Sequence, residues 1–135
     1  MTDIHEISVP ALAYLGDCVI ELCVRRFLVT EKGLSTSAHL NAVALDYVRA
    51  SAQAEAMQKI LPYLTEEEAS YFRRGRNMGH SNVPKRATVS QYRAATGMEV
   101  LFGFLHLTGK NARIEELFAL AYPSKETEIS SNGKV

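Results

Sequence analysis

Apolar positions recur with helical spacing almost everywhere in this chain, and no stretch alternates polar and apolar residues long enough to predict a strand. The pattern predicts an all-α fold. A first helix is expected from about Pro10, a residue favoured in the first helical turn, to about Val29, with Gly33 beyond its end. That segment is apolar almost all the way round, which predicts a central place in the core. A second, long helix is expected after Ser35 to Ser37, with Leu40, Val43, Ala44, Tyr47, Val48, Ser51, Ala54, Met57 and Leu61 as its buried stripe and Pro62 at its frayed end. Thr65 followed by Glu68 and Thr88 followed by Gln91 have capping-box spacing and predict two further helix starts, the later helix reaching Leu107 before Gly109. Between them, roughly Asn77 to Arg86, a stretch rich in Gly, Ser, Asn and Pro reads as a loop. A last helix is predicted from about Ala112 to Tyr122, stopped by Pro123. Residues 1–122 are expected to form one domain and 123–135 a disordered polar tail.

Composition agrees with a folded domain: 47% of the 135 residues are hydrophobic and 22% charged, unlike a disordered chain. Cys18 and Cys23 point to different sides of one helix, so a local disulfide is excluded and reduced cytoplasmic thiols are expected. The N-terminal segment carries Asp3 and Glu6 where a signal peptide would be basic. Asp17 and Glu21 break the apolar run from Val9 to Val24, so no membrane span is expected either.

The formal net charge is zero, but its distribution is uneven. From Ala69 to Met98 there is no Asp or Glu, while Arg73, Arg74, Arg76, Lys85, Arg86 and Arg93 all fall there, with His80 among them. A solvated surface is normally mixed in sign, so this segment points to phosphate binding. No aromatic-rich sheet is expected that could stack single-stranded bases, which favours a duplex backbone as the partner.

Two acids stand out against their surroundings. Asp17 interrupts the most apolar helix, with Ala13, Tyr14, Ile20 and Glu21 as its neighbours at helical spacing; Glu99 has Ala95, Thr96, Phe102 and Gly103. No base is near either one along the helix. A buried carboxylate without a partner is costly, so something positive from outside each helix is expected to face it. Glu21 differs, because Arg25 four residues on offers an ion pair. Gly16 precedes Asp17 while Gly97 and Gly103 bracket Glu99, and glycine inside a helix suggests close backbone approach. The two helices are therefore expected to cross there and bring Asp17 and Glu99 to one site. Two readings of that site remain: each acid meets an arginine from another helix, or the pair binds a metal, for which oxygen-only ligands favour Mg²⁺, with Mn²⁺ as a substitute. There is no Cys and His set at metal-ligand spacing, no Gly-rich phosphate loop and no nucleophile elbow.

The segment Ala11-Leu12-Ala13-Tyr14-Leu15-Gly16-Asp17-Cys18-Val19 resembles the signature helix of the ribonuclease III family. The segment from Gln91 to Gly103 resembles that family's second catalytic helix, and Arg73-Arg74-Gly75-Arg76-Asn77 is similar to the compact branch called Mini-ribonuclease III, which lacks a separate double-stranded-RNA-binding domain. Across residues 8 to 122 the resemblance implies a ribonuclease III-type helical endonuclease domain that cuts duplex RNA as a homodimer. Its products would carry 5′-phosphates and short 3′ overhangs, and its substrate would be a large-subunit ribosomal RNA precursor. It implies Asp17 and Glu99 as catalytic metal ligands, and Arg73, Arg74, Arg76, Asn77, Lys85, Arg86 and Arg93 as the RNA-binding set. The chain departs from larger family members at Ala13 and Thr96, where they carry acids. Those departures support the alternative of a non-catalytic RNA-binding or ribosome-associated module; a helical interaction protein without an RNA partner is the more distant alternative.

Overall fold

The computed structural model describes residues 3–79 and 87–123; residues 124–135 of the expected disordered tail, His80, Lys85 and Arg86 lie outside them. Six α-helices follow in order: α1 Val9–Thr30, α2 Ser37–Val48, α3 Ala50–Ile60, α4 Glu66–Arg76, α5 Val89–Leu107 and α6 Asn111–Ala121, with short 3-10 turns at Ile4–Glu6 and Leu61–Tyr63. Among the described residues there is no strand, and no helix is long and apolar enough to cross a membrane.

Local chemistry accounts for most helix ends. Ser8 Oγ accepts from the Ala11 amide at 3.2 Å and Thr36 Oγ1 from the His39 amide at 3.3 Å, satisfying donors that the first turn leaves unpaired. Both capping boxes form. Thr65 exchanges bonds with Glu68 at 2.8 and 3.1 Å, and Thr88 with Gln91 at 3.0 Å each way. Gly33 and Gly109 take the left-handed backbone, φ 66° and 73°, that lets the chain leave α1 and α5.

Two expectations are corrected. The long second helix is two helices, because Arg49 is extended at ψ 154° and breaks the run without any Gly or Pro. The break changes the phase of the buried stripe: α3 buries Gln53, Ala56, Met57 and Ile60 where continuous periodicity placed Ser51, Ala54, Met57 and Leu61. Splitting the run lets α2 lie on α1 while α3 turns onto α5 and α6, which one straight rod could not do.

The central helix is α5, not α1. It is buried from Ala95 to Met98 and from Val100 to Leu105, with α1, α3 and α4 packed around it. By contrast α1 buries only one side, and Ala11, Tyr14, Cys18, Leu22, Arg25 and Val29 form an exposed stripe at helical spacing, Tyr14 being 86% exposed.

Glycines set the closeness of two crossings on α5. A Cβ on Gly16 would collide with the Glu99 carbonyl oxygen and one on Gly103 with the Leu12 carbonyl oxygen, so α1 and α5 touch backbone to backbone. On another side of α5, a Cβ on Gly97 would come within 2.6 Å of the Phe72 ring, and one on Gly75 within 2.8 Å of the Gly97 Cα. Gly97 therefore serves the α4 crossing, not the approach of α1 expected for it.

The capping acid Glu68 also anchors α6. Arg113 donates to its carboxylate at 2.8 and 2.9 Å and to the Tyr63 carbonyl at 2.7 Å. Burial would raise the Glu68 carboxyl, but the Arg113 and Thr65 hydrogen bonds outweigh it and hold it below its ordinary value.

Candidate active site

The tight α1–α5 crossing brings Asp17 against Glu99. Asp17 sits one residue after Gly16, whose missing side chain lets α1 rest on the Glu99 backbone, so the approach of the carboxylates follows from the approach of the helices. Glu99 is half-buried. Its carboxyl is pushed up to about 8, first by burial, then by the negative charge of Asp17 and by the hydrogen bond that the protonated Glu99 donates to Asp17.

Asp17 differs from its sequence expectation in one respect: it is exposed, so the argument from a buried charge does not apply to it. The partner expected from outside the helix is another acid. Among the described residues, neither Asp17 nor Glu99 makes an ion pair with a Lys, Arg or His. The arginine reading of the pair finds no support there. Glu21 does take the simple solution, accepting from Arg25 at 3.0 Å on the same helix.

Two carboxylates that repel each other across a helix crossing form an oxygen-only donor set of the kind a hard divalent cation prefers. Among the described residues no third Asp, Glu, His or Cys completes a group of three, so most of a cation's ligands at this site would have to be water or substrate oxygens. Mg²⁺ fits that arrangement, since it keeps several waters and takes one or two carboxylates.

Beside Glu99 lies a cavity of about 190 Å³, walled by Val48, Ala50, Gln53, Tyr92 and Thr96. Gln53 is 2% exposed and was not anticipated from the sequence. A polar residue followed at three, four and seven positions by Ala56, Met57 and Ile60 is the signal that could have found it, once the break at Arg49 is known. Two of the larger hollows carry no such pair of facing acids. One of about 510 Å³ lies between α3 and the start of α5, where Asp46 is already paired with Arg49 at 3.4 Å. The other, about 550 Å³, lies between α1 and α6, beside the Arg26–Glu115 pair at 3.1 Å.

Arg73, Arg74, Arg76 and Arg93, the basic residues of the set that are described, are at the surface. Arg73 is partly committed, donating to Glu66 at 3.3 Å. The Arg74 guanidinium lies 4.4 Å from the centre of the Tyr71 ring and that of Arg76 5.7 Å from Phe72, while Arg76 Nε donates to Asn77 Oδ1 at 3.2 Å. Stacking on a ring holds a guanidinium in place while its edge stays open to an anion. Arg93 is exposed near the start of α5. The structure does not bring the α4 arginines to the carboxylates. The α4 crossing is at Gly97, which points about 200° around α5 from Glu99 at helical spacing, so the two features lie on different sides of that helix.

The ribonuclease III domain family matches residues 10–110, a span that contains both carboxylates and α4. The chain belongs to the ribonuclease III family. A Mini-ribonuclease 3 of Enterococcus faecalis is 44% identical over 119 residues, covering 87% of this chain and 89% of that protein. A Mini-ribonuclease 3 of Symbiobacterium thermophilum is 43% identical over 110 residues, covering 82% and 84%. An X-ray structure of a protein from Fusobacterium nucleatum superposes with a TM-score of 0.81 at 27% identity, over 92% of this chain and all of that one. These likenesses place the chain in the Mini-ribonuclease 3 branch of the family.

At the positions where the chain departs from larger family members, Ala13 is buried on α1 and Thr96 is buried on α5 with its hydroxyl donating to the Tyr92 carbonyl at 3.0 Å. Thr96 lines the same cavity as Glu99. A small neutral residue thus stands at the rim of the site where a third acid would otherwise add charge.

Proposed function

We propose that this chain is a divalent-cation-dependent endoribonuclease that cuts double-stranded RNA as a homodimer, with large-subunit (23S) ribosomal RNA precursors as its natural substrate. The observation that carries the reading is the facing pair Asp17 and Glu99, two carboxylates held together at a backbone-to-backbone helix crossing with no base between them among the described residues. Membership of the family and the likeness to proteins named Mini-ribonuclease 3 support the same conclusion.

A bound Mg²⁺, for which Mn²⁺ could substitute, would supply positive charge where negative charge develops on the scissile phosphate. Glu99, half-buried on the central helix, provides the rigid side of the site. Asp17, exposed on α1, provides the side open to substrate. Arg74, Arg76, Asn77 and Arg93, with Arg73, Lys85 and Arg86, hold the phosphate backbone. A-form RNA hides its base edges in a deep, narrow groove, so recognition by this set is mainly of shape.

The exposed α1 stripe supports the homodimer, because Tyr14 and Leu22 offer an apolar surface next to Asp17 that a lone domain leaves in water. A two-fold dimer also matches the local symmetry of a duplex, so that each subunit cuts one strand. Active preparations should sediment as a dimer at micromolar concentration.

The decisive experiment incubates the protein with a long RNA duplex, an RNA single strand and a DNA duplex, each with Mg²⁺ or with EDTA. Only the RNA duplex with Mg²⁺ should be cut. Cleavage that persists in EDTA would overturn the cation-dependent chemistry. A second reading, the non-catalytic RNA-binding module, is favoured by the lack of a third acid in the described site; binding of duplex without cleavage under any metal would select it.

Duplex binding should weaken steeply with salt, because each phosphate neutralised releases condensed counterions. Reversing both Arg74 and Arg76 to Glu should lower affinity and flatten the slope of log affinity against log salt by roughly one to two units. An unchanged slope in the double variant would remove α4 from the RNA-binding surface.

A further inference from the structure

Gln53 is buried in the wall of the cavity beside Glu99, and among the described residues its side-chain amide has no hydrogen-bond partner. Its backbone amide is used in α3, donating to Arg49 at 3.0 Å, but that does nothing for the side chain. Buried side-chain amides nearly always find a partner, in protein or in ordered water. The rest of the wall offers little: Val48, Ala50 and Ala95 are apolar, and the Thr96 hydroxyl hydrogen goes to Tyr92. Besides Tyr92, which has an interaction of its own, the polar groups left to face the amide are the Glu99 carboxylate, the Thr96 hydroxyl oxygen as an acceptor, and water. The cavity, at about 190 Å³, has room for several water molecules at roughly 30 Å³ each. An apolar residue would suit this core position of α3 without leaving an amide to satisfy, since Ala56, Met57 and Ile60 continue the same buried face.

We propose that Gln53 is a positioning residue of the carboxylate site, holding water between its amide and the Glu99 carboxylate so that both are aimed at the divalent cation shared with Asp17. An amide suits the task because it both donates and accepts, so one water can give a proton to Oε1, accept from Nε2 and still reach an ionised carboxylate. A cation with only two side-chain carboxylates leaves most of its shell to water, and groups that orient that water tune its binding. This inference rests on the reading of Asp17 and Glu99 as a cation site.

The test is Mn²⁺ binding to the full chain without RNA, read by electron paramagnetic resonance, with thermal melting in EDTA alongside. Gln53→Met keeps the length and the helix-forming character of the side chain but removes both polar atoms. It should melt at the same temperature as wild type or higher, yet bind Mn²⁺ about 10- to 100-fold more weakly. Gln53→Glu adds a negative charge at the same place and should bind Mn²⁺ more tightly than wild type, a gain that a merely space-filling residue would not show. If Gln53→Met binds Mn²⁺ as wild type does, or if Gln53→Glu brings no gain, the role is wrong. Should Gln53→Met fail to fold, the Gln53→Glu comparison decides alone. Loss of Mn²⁺ binding in Asp17→Asn together with wild-type behaviour of both Gln53 variants would leave the carboxylate site standing and remove Gln53 from it. A wild-type chain that binds no Mn²⁺ would overturn both.

Discussion

Asp17→Asn should abolish RNA cleavage, by more than about 100-fold, while leaving duplex binding and the fold intact. The substitution keeps the size and hydrogen-bonding capacity of the side chain and removes only the charge that a cation needs. In a structural salt bridge the same change would strand a base and cost roughly 3 to 5 kcal/mol. Here Asp17 faces Glu99, so above about pH 8, where Glu99 is ionised, removing the Asp17 charge relieves repulsion, and the melting temperature in EDTA should there stay equal or rise. Glu99→Gln should act in the same direction on both activity and stability. An Asp17→Asn protein that stays fully active with Mg²⁺, or that unfolds without it, would refute the assignment.

The same pair gives the metal-free protein a pH dependence whose sign follows from linkage. Glu99 titrates at about 8 when folded and near the ordinary glutamate value when unfolded, so folding takes up a proton between those limits. Its contribution to stability is complete at acid pH, below the unfolded value, and is lost as pH rises through about 8. Melting temperature in EDTA should therefore fall across that window, and Glu99→Gln should flatten the curve. Divalent cation works against the proton, because binding needs the ionised carboxylate, so added Mg²⁺ should stabilise most at the alkaline end.

Gly16→Ala should be among the most damaging single-methyl additions available in this chain. The new Cβ would overlap the Glu99 carbonyl oxygen and lie 2.9 Å from the Gly103 nitrogen, both backbone atoms of the central helix that no side-chain rotation can move away. Relief requires α1 and α5 to separate along their crossing, which opens the core on either side. A loss of about 3 kcal/mol or more in urea denaturation is expected, at or beyond the upper end for overpacking. Gly103→Ala should behave alike, since its Cβ would meet the Leu12 carbonyl oxygen. Gly79→Ala is the control: among the described residues nothing lies within 4 Å of a Cβ there, and it should leave the midpoint almost unchanged. Any Gly16→Ala protein that does fold should also lose cleavage, because Asp17 is carried on the displaced helix. A wild-type midpoint for Gly16→Ala would mean that the helices do not cross this closely.

The all-helical fold, the two capping boxes, the helix exits at Gly33 and Gly109 and the Glu21–Arg25 pair were all legible in the sequence, because each depends on residues within about one helical turn of one another. Asp17 and Glu99 could be singled out for the same reason: the lack of a base at helical spacing is a local fact. Non-local packing decided the rest. Arg49 breaks the second helical run because α2 and α3 have different neighbours to cover, a demand that no residue near Arg49 announces. α1 and α5 are similarly apolar as sequences, and only the packing of α1, α3 and α4 around α5 makes one central and leaves the other with an open face. Glu68 reads as a cap and is also the anchor for Arg113 from the far end of the chain. By itself the sequence determined which residues needed an explanation from outside their own helix; the tertiary structure decided what each one meets, because periodicity specifies a face and only the assembled core specifies what lies against it.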